Sequence, residues 1–297
     1  MATLRDIKLR IRSVREIQKI TRAMKMVAAA KLRKAQKKQA AFEPFYRGVD
    51  LLLWGLHAEV EKKDHLFLHG RKGKKAWLIV FTSDRGLCGA YNHHVERAVD
   101  DFIRGERDLE ISLLVSGRQG IIYFKRRGYD MVELELPDEI DRRIRVISHF
   151  VTGSYLSGRV DRVQVVSDRF RLNRERGVRN VQLLPFVPAD AQSTDGEAAG
   201  EAGKDETRHK IKSYLMEPGI DAVFDRVCRL YILSRFFRFY LDSEAAEQLA
   251  RMTAMDLATS NADSLIFDLT LSYNKARQEA ITKELIDILG GSQGVSI

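Results

Sequence analysis

Proline is scarce in this chain: five in 297 residues, and none between Gly219 and Leu289. A residue that removes a backbone donor and clashes with the preceding turn is therefore missing from a very long stretch, which permits uninterrupted helix. No run approaches the ~20 consecutive apolar residues that a bilayer-crossing helix requires, so an integral membrane protein is not expected. The two cysteines, Cys88 and Cys228, lack metal-ligand or redox spacing and read as two reduced thiols. Residues 1–40 contain no aromatic side chain, and the stretch from Lys19 to Gln39 contains no acid.

What that stretch does contain is eight lysines or arginines together with Met24, Met26, Val27 and three successive alanines. Residues 1–40 carry thirteen Lys or Arg against Asp6 and Glu16, a local balance of +11. The whole chain stands at +9, so the remaining 257 residues are slightly acidic, at −2. A segment this cationic meets an acidic partner, a nucleic acid, a membrane surface or water. An Arg-rich amphipathic start also has the texture of a transit peptide, but the apolar pattern runs well past residue 30 with no cleavage-like boundary.

That pattern is helical. Leu4, Ile7, Ile11, Val14, Ile17, Ile20, Met24 and Val27 recur at spacings of three and four, a stripe narrow enough for a coiled-coil seam. Small residues carry it through Leu32 and Ala35, and Phe45, Val49, Leu52, Leu53 and Leu56 resume it. Pro44 predicts a bend rather than a stop. A helix over residues 4–60 spans roughly 85 Å at 1.5 Å per residue.

Residues 64–188 have another texture. "KKAWLIVFTSDRGLCGAYN" reads as a buried strand, a glycine-containing turn and the start of a helix, and "EISLLVSGRQGIIYFKRRG" repeats that grammar. "YDMVELE", a helix from about Asp138 to Val151, and "RVDRVQVVSDRF" continue it, predicting a parallel sheet with helices on its faces. "VQVVSDRF" and "VRNVQLLPF" are read as a closing hairpin. Residues 189–206, without a large apolar side chain, predict a flexible acidic loop, carried to residue 212.

From residue 219 the helical pattern returns, with Val223, Val227, Leu230, Leu233, Phe237 and Tyr240 on one stripe and Leu249, Met252, Leu265, Leu269, Tyr273 and Ala276 extending it. Residues 219–289 make roughly 105 Å of helix. Gly290 and Gly291 are the expected terminators, leaving 290–297 as a tail. Two helices too long for one small domain to cover pack most economically on each other. The expected architecture is a long antiparallel coiled coil of the N- and C-terminal helices plus a central Rossmann-like α/β domain. Ala, Thr, Ser and Asn crowd Thr253–Ser264, a thin neck suited either to a tight channel or to close helix packing.

No motif announces chemistry. "TSDRGLCGAYN" places a glycine turn before a helix, an arrangement that presents backbone donors to anions, but no Gly-Lys-Ser/Thr follows and the dinucleotide fingerprint is incomplete. Gly86 and Gly89 read as turn and packing residues, with nucleotide binding as the alternative; "SGRQG" at 116–120 is weaker. The seven histidines form no metal-ligand ladder, and His93–His94 point apart on a helix. No metal site and no catalytic constellation are expected.

Taken together, "IKLRIRSVREIQKITRAMKMVAAAKL", "DRGLCGAYN", "YLMEP", "RMTAMDLATSNADSLI" and "YNKARQEAITKELIDI" resemble the gamma subunit of bacterial F-type ATP synthases, over essentially the whole chain. The resemblance implies a rotor shaft. Its coiled coil would enter a head of alternating alpha and beta subunits, and its α/β domain would lie with the epsilon subunit against the membrane-embedded c ring. Turning of ring and shaft would drive the beta sites through different nucleotide affinities. The chain would bind no cofactor itself, ATP/ADP and Mg being held by partner subunits. It would sit peripherally on the cytoplasmic face of the bacterial inner membrane.

By motif position, the resemblance places Met24 and the neighbouring Lys25 against an acidic lever of a beta subunit. It makes Arg277, Gln278, Thr282 and Glu284 the polar catch near the head, and Arg251 a residue coupling the two ends of the shaft. Tyr214 and Glu217, in "YLMEP", would contact epsilon and the c ring in a foot segment, 213–218. The cysteine-bearing regulatory insert of chloroplast homologues is not evident, and the lack of a convincing transit segment favours a bacterial origin. The competing readings are a coiled-coil adaptor or nucleic-acid-binding protein using the basic N-terminal helix, and an enzyme built on the α/β domain. Phosphate binding by the basic arm would fall steeply with salt.

Overall fold

The computed structural model describes residues 3–60, 65–169, 177–186 and 216–293. The expected acidic loop at 189–212, Tyr214 and the last four residues lie outside the described residues. The chain divides into two compact units, one of Met1–Ala30 with Arg251–Ile297 and the other of Lys31–Ala250.

Helix α1 runs Leu4–Val60 without interruption, through Pro44, and α6 runs Ile220–Gln293. Thr3 caps α1: its hydroxyl accepts from the Asp6 N–H at 3.2 Å and donates to the Asp6 carboxylate at 2.7 Å. At the other end of the chain α6 passes through Gly290 and Gly291 rather than stopping at them. A glycine lowers helix propensity by about 1 kcal/mol but retains its N–H, so two of them weaken a long helix without ending it.

In Lys31–Ala250 the elements between these helices are α2 (Leu66–His69), β1 (Lys75–Phe81), α3 (Tyr91–Gly105), β2 (Glu110–Ser116), α4 (Arg118–Arg126), α5 (Ile140–Leu156), β3 (Arg162–Arg169) and β4 (Gly177–Leu184). The sheet order is β2-β1-β3-β4; β1 pairs in parallel with both β2 and β3, and β4 closes antiparallel on β3 as the hairpin pattern predicts. Alternation along β1 feeds two cores. Ile79 and Phe81 join residues of α1, α5 and α6 on one face, and Leu78 and Val80 join α3 and α4 on the other. Burial on both faces is what the near-continuous apolar reading of a parallel strand records.

"YDMVELE" does not become a full strand. It makes a single parallel bridge, Met131 to Leu113, with the Val132 N–H donating to the Leu113 carbonyl at 2.8 Å. Its charged residues alternate with Val132, Leu134 and Leu136, which pack on the first core from outside the ladder.

The same helix pairing recurs within each unit. In Met1–Ala30 with Arg251–Ile297, Gln18 meets Asp263, Thr21 meets Thr259 and Lys25 meets Asp256. In Lys31–Ala250, Gln39 meets Asp242, Glu43 meets Arg238 and Tyr46 meets Arg235. Within each unit, as the first number rises the second falls in step, which is an antiparallel register.

Candidate partner-contact surfaces

The seam of the Met1–Ala30 and Arg251–Ile297 unit is made of smaller and more polar residues than the apolar stripe predicts. Val14, Thr21 and Ala28 are buried on α1, and Met255, Thr259 and Ala262 on α6. The Thr21 and Thr259 hydroxyls lie 2.8 Å apart, and each also reaches a carbonyl of its own helix, Gln18 O at 3.0 Å and Met255 O at 2.7 Å. Alanine and threonine let two helices approach closely, whereas isoleucine at the same positions would hold them apart.

The displaced apolar residues are on the outside. Ile17, Ile20, Val27 and Leu265, expected in the seam, are exposed, and Met26 and Phe267 are 63% and 64% exposed. Leu9, Leu257, Leu271, Ile281 and Leu285 add to them. The sequence stripe therefore selects the bulkiest residues, and the helix pair buries the smallest. The reason is a narrow seam: two helices cover about one stripe each, and α1 carries apolar residues on more than one. Exposed apolar surface on this scale, set among Arg12, Arg15, Lys19 and Arg22, marks an interaction surface.

Met24 is half-buried at the margin of the seam. Lys25 is ion-paired across the coil, its Nζ 2.5 Å from Asp256 Oδ1 with both side chains substantially exposed. Such a pair is worth about 1 kcal/mol or less, so it holds Lys25 loosely. Arg251 is half-buried. Arg277, Gln278, Thr282 and Glu284 are all exposed on α6, and the Thr282 hydroxyl donates back to the Gln278 carbonyl at 2.9 Å. Of the two foot residues, Glu217 is exposed just before α6, while Tyr214 lies outside the described residues. Lys25 and Asp256 thus come together; Arg277 to Glu284 form a separate, exposed polar stretch. Asp256, Gln18 and Asp263 escaped the sequence reading because polar residues in a helix look like solvated surface until their partner helix is known.

The glycine turn after β1 is consumed by the fold. The Ser83 N–H donates to Asn92 Oδ1 at 3.0 Å, and Asn92 Nδ2 donates to the Ser83 hydroxyl at 2.8 Å. At the start of α4 the three leading N–H groups are taken by Asp84 Oδ1, the Ser83 carbonyl and the Thr82 hydroxyl. Gly117, at φ +125°, packs so tightly that a Cβ there would lie 2.2 Å from the Thr82 carbonyl oxygen. Ala246 and Ala250 of α6 pack with Cys88, Tyr91 and Val166 at the carboxyl ends of β1 and β3. Helix α6 thus fills the crevice in which open α/β sheets hold ligands. Among the described residues no group of three or more His, Cys, Asp or Glu is placed to hold a metal ion, and no helix is long and apolar enough to cross a membrane.

Charge is buried in Lys31–Ala250 on α3, β3 and α6, at Glu96, Asp100, Asp168 and Asp242. Arg179 Nη2 lies 2.6 Å from Asp242 Oδ2, with only 11% and 4% of the side chains exposed, and Gln39 donates to the other Asp242 oxygen at 2.6 Å. Burial pulls the Arg179 guanidinium below its ordinary range, against the opposing pull of Asp242. Arg235 donates to the Tyr46 hydroxyl at 2.8 Å, and Arg238 lies 4.3 Å over the Tyr46 ring.

With this geometry in view, comparison with known proteins is unambiguous. A family model described as ATP synthase matches residues 3–295. The chain is 40% identical over 299 residues to the ATP synthase gamma chain of Halothermothrix orenii, covering 99% of this chain and 100% of that one. It is 41% identical over 296 residues to that of Heliobacterium modesticaldum, covering 98% and 99%. Among solved structures, it aligns with a chain in the central stalk and c ring of the Tetrahymena thermophila mitochondrial ATP synthase at a TM-score of 0.59 and 24% identity, over 80% of this chain and 99% of that one. A chain of the Euglena gracilis mitochondrial enzyme aligns at a TM-score of 0.60 and 17% identity, over 98% and 94%.

Proposed function

The chain belongs to the ATP synthase gamma-chain family, and from that membership we propose that it is the central rotor shaft of a proton-translocating F-type ATP synthase, coupling rotation of a c ring to the conformational cycle of an alpha/beta head. The observation that carries the reading is the inverted burial of the helix pair. Thr21, Ala28, Thr259 and Ala262 are inside, while Ile17, Ile20, Met26, Val27 and Phe267 face outward among cations. A coil that withholds its bulkiest apolar residues from its own seam is built to touch something around it.

The shaft makes and breaks no bond. It acts through differential contacts: an asymmetric surface binds each conformation of a surrounding subunit unequally and so shifts that subunit's equilibrium. Exposed pairs of about 1 kcal/mol or less suit this role, because a stronger contact at one angle would hold the rotor there. Met24 and Lys25 meet the acidic lever of a beta subunit. Arg277, Gln278, Thr282 and Glu284 form the catch at the head, Arg251 couples the two ends, and Tyr214 and Glu217 serve the foot against epsilon and the c ring. Nucleotide and Mg belong to the alpha and beta partners. The complex places the chain peripherally on the cytoplasmic face of the bacterial inner membrane.

The test is isolation of the tagged chain from detergent-solubilised membranes of its host, with the mass and ATPase activity of the recovered complex measured. A single copy of this chain in an ATP-hydrolysing assembly with alpha, beta, epsilon and c subunits is the expected result. Recovery alone, or with nucleic acid and no ATPase, overturns the shaft reading and leaves only the coiled coil standing.

A further inference from the structure

The loops that enter β1 and β3 from their amino side, residues 70–75 and 157–162, carry Arg71, Lys72, Lys74, Lys75, Arg159 and Arg162 against a single acid, Asp161. Because β1 and β3 pair in parallel, with Ala76 opposite Arg162, the two loops lie side by side at one end of the sheet. The acid is turned inward: Asp161 is buried, and its Oδ2 accepts from the Lys75 N–H at 3.1 Å. Lys72, Lys74, Lys75, Arg159 and Arg162 are all exposed, and none of them is in an ion pair among the described residues. Acids such as Glu110 and Asp130 stand on the β2 side of this end.

The backbone that displays these cations is fixed. The Arg71 guanidinium donates to the carbonyls of Tyr155 and Leu156, the second at 2.8 Å, and so places a cation at the negative end of α5. Gly73 packs so closely that a Cβ there would lie 1.9 Å from the Asp161 carboxylate, and Gly70, at φ +66°, packs on Pro185. Like charges crowded on a fixed backbone repel one another, and an external counter-charge relieves that repulsion.

What the patch lacks identifies the partner. Neither loop exposes a large apolar side chain. Protein interfaces are anchored by buried aromatic or aliphatic groups, so a patch of cations alone suits a surface that attracts by charge. Clusters of roughly four to eight Lys or Arg bind anionic lipid headgroups in this way. The patch is also beside the proposed foot. Its first loop leaves α2, where Phe67 stacks on Phe186 at 5.7 Å, and His65 meets Phe224 at 4.8 Å, shortly after Glu217. Among the described residues no helix is long and apolar enough to cross a membrane, so lipid is met there through surface charge.

We propose that the amino-terminal end of the sheet, through Lys72, Lys74, Lys75, Arg159 and Arg162, faces anionic phospholipid headgroups. The inference rests on the rotor reading, which brings the foot to a membrane-embedded ring. A fluid headgroup layer attracts the patch without holding it at one angle, as a turning shaft requires.

The experiment uses the ATP-hydrolysing complex of this chain with alpha, beta and epsilon, released from the c ring. Its co-sedimentation is measured with vesicles of phosphatidylcholine, with and without phosphatidylglycerol. Binding that needs the anionic lipid and falls with salt is expected. Each cation removed weakens it about fivefold, so Lys72→Gln, Lys74→Gln and Arg159→Gln together weaken it by about a hundredfold. Arg118→Gln, Arg142→Gln and Arg145→Gln remove the same charge nearer the carboxyl ends of the strands and leave binding almost unchanged. Equal loss in the two triple variants overturns the assignment to this patch. An active complex that ignores the vesicles overturns the inference and spares the shaft, whereas failure to assemble any complex overturns both. Capture by c ring in purely neutral lipid, lost in the first triple variant, gives the patch to an acidic polypeptide and overturns the lipid assignment.

Discussion

The hydroxyls of Thr21 and Thr259 face each other across the coil at 2.8 Å, in a layer where the sequence stripe alone would place Ile20. Each hydroxyl retains a carbonyl acceptor in its own helix, so replacing either by valine strands no buried donor. Thr21→Val and Thr259→Val each change unfolding free energy by about 1 kcal/mol or less. A double-mutant cycle in thermal or urea unfolding yields a coupling of about 0.5–1 kcal/mol. Thr21→Ile, which adds volume to a close approach, destabilises by about 1–3 kcal/mol and is the more damaging change.

Met24 sits half-buried beside the Lys25–Asp256 pair. Met24→Lys adds a cation at a position that the proposed shaft presents to an acidic partner. In the assembled ATPase it lowers the protons moved per ATP hydrolysed, while the unfolding midpoint of the chain shifts by no more than an exposed ion pair allows, about 1 kcal/mol. Equal loss of hydrolysis and pumping, with their ratio unchanged, contradicts this.

Arg179 and Asp242 form the most deeply buried ion pair among the described residues. Asp242→Ala leaves the Arg179 guanidinium buried near Arg235 and Arg238, whose charges already oppose its own. The expected loss is about 3–5 kcal/mol in equilibrium unfolding. Replacing both partners, Arg179→Met with Asp242→Leu, is far less damaging than either single change, because no uncompensated charge remains.

Glu96 on α3 is held above the usual carboxylate range by burial, with His93 pulling it down and Asp100 pushing it up. A folded pKa above the unfolded one means that folding favours the protonated acid. Its stabilising contribution is complete below the unfolded pKa and is lost as pH rises through the folded pKa. Glu96→Gln, which stays neutral, is therefore more stable than the parent chain at neutral pH. The difference vanishes in acid, where Glu96 is itself protonated. Paired urea titrations at the two pH values read this directly.

Much of the architecture was legible in the chain before any coordinates. Near-continuous apolar runs around Leu78 and Leu114 marked strands buried on both faces, because a parallel sheet between helices exposes neither side. The absence of proline after Gly219 allowed one helix, and the alternation of strand and helix implied the parallel core. Those features are local: they depend on the spacing of side chains along a backbone of known geometry.

What the tertiary structure decided was which residues meet. Thr21 and Ala28 displaced Ile20 and Val27 from the seam because inter-helix distance is set by the pair, not by either helix alone. Pairings such as Arg179 with Asp242 or Lys25 with Asp256 join positions far apart in the chain and have no periodicity to reveal them. A sequence determines the faces each element has to offer; which face is spent on the fold, and which is left for a partner, follows from the distance and register at which the elements pack.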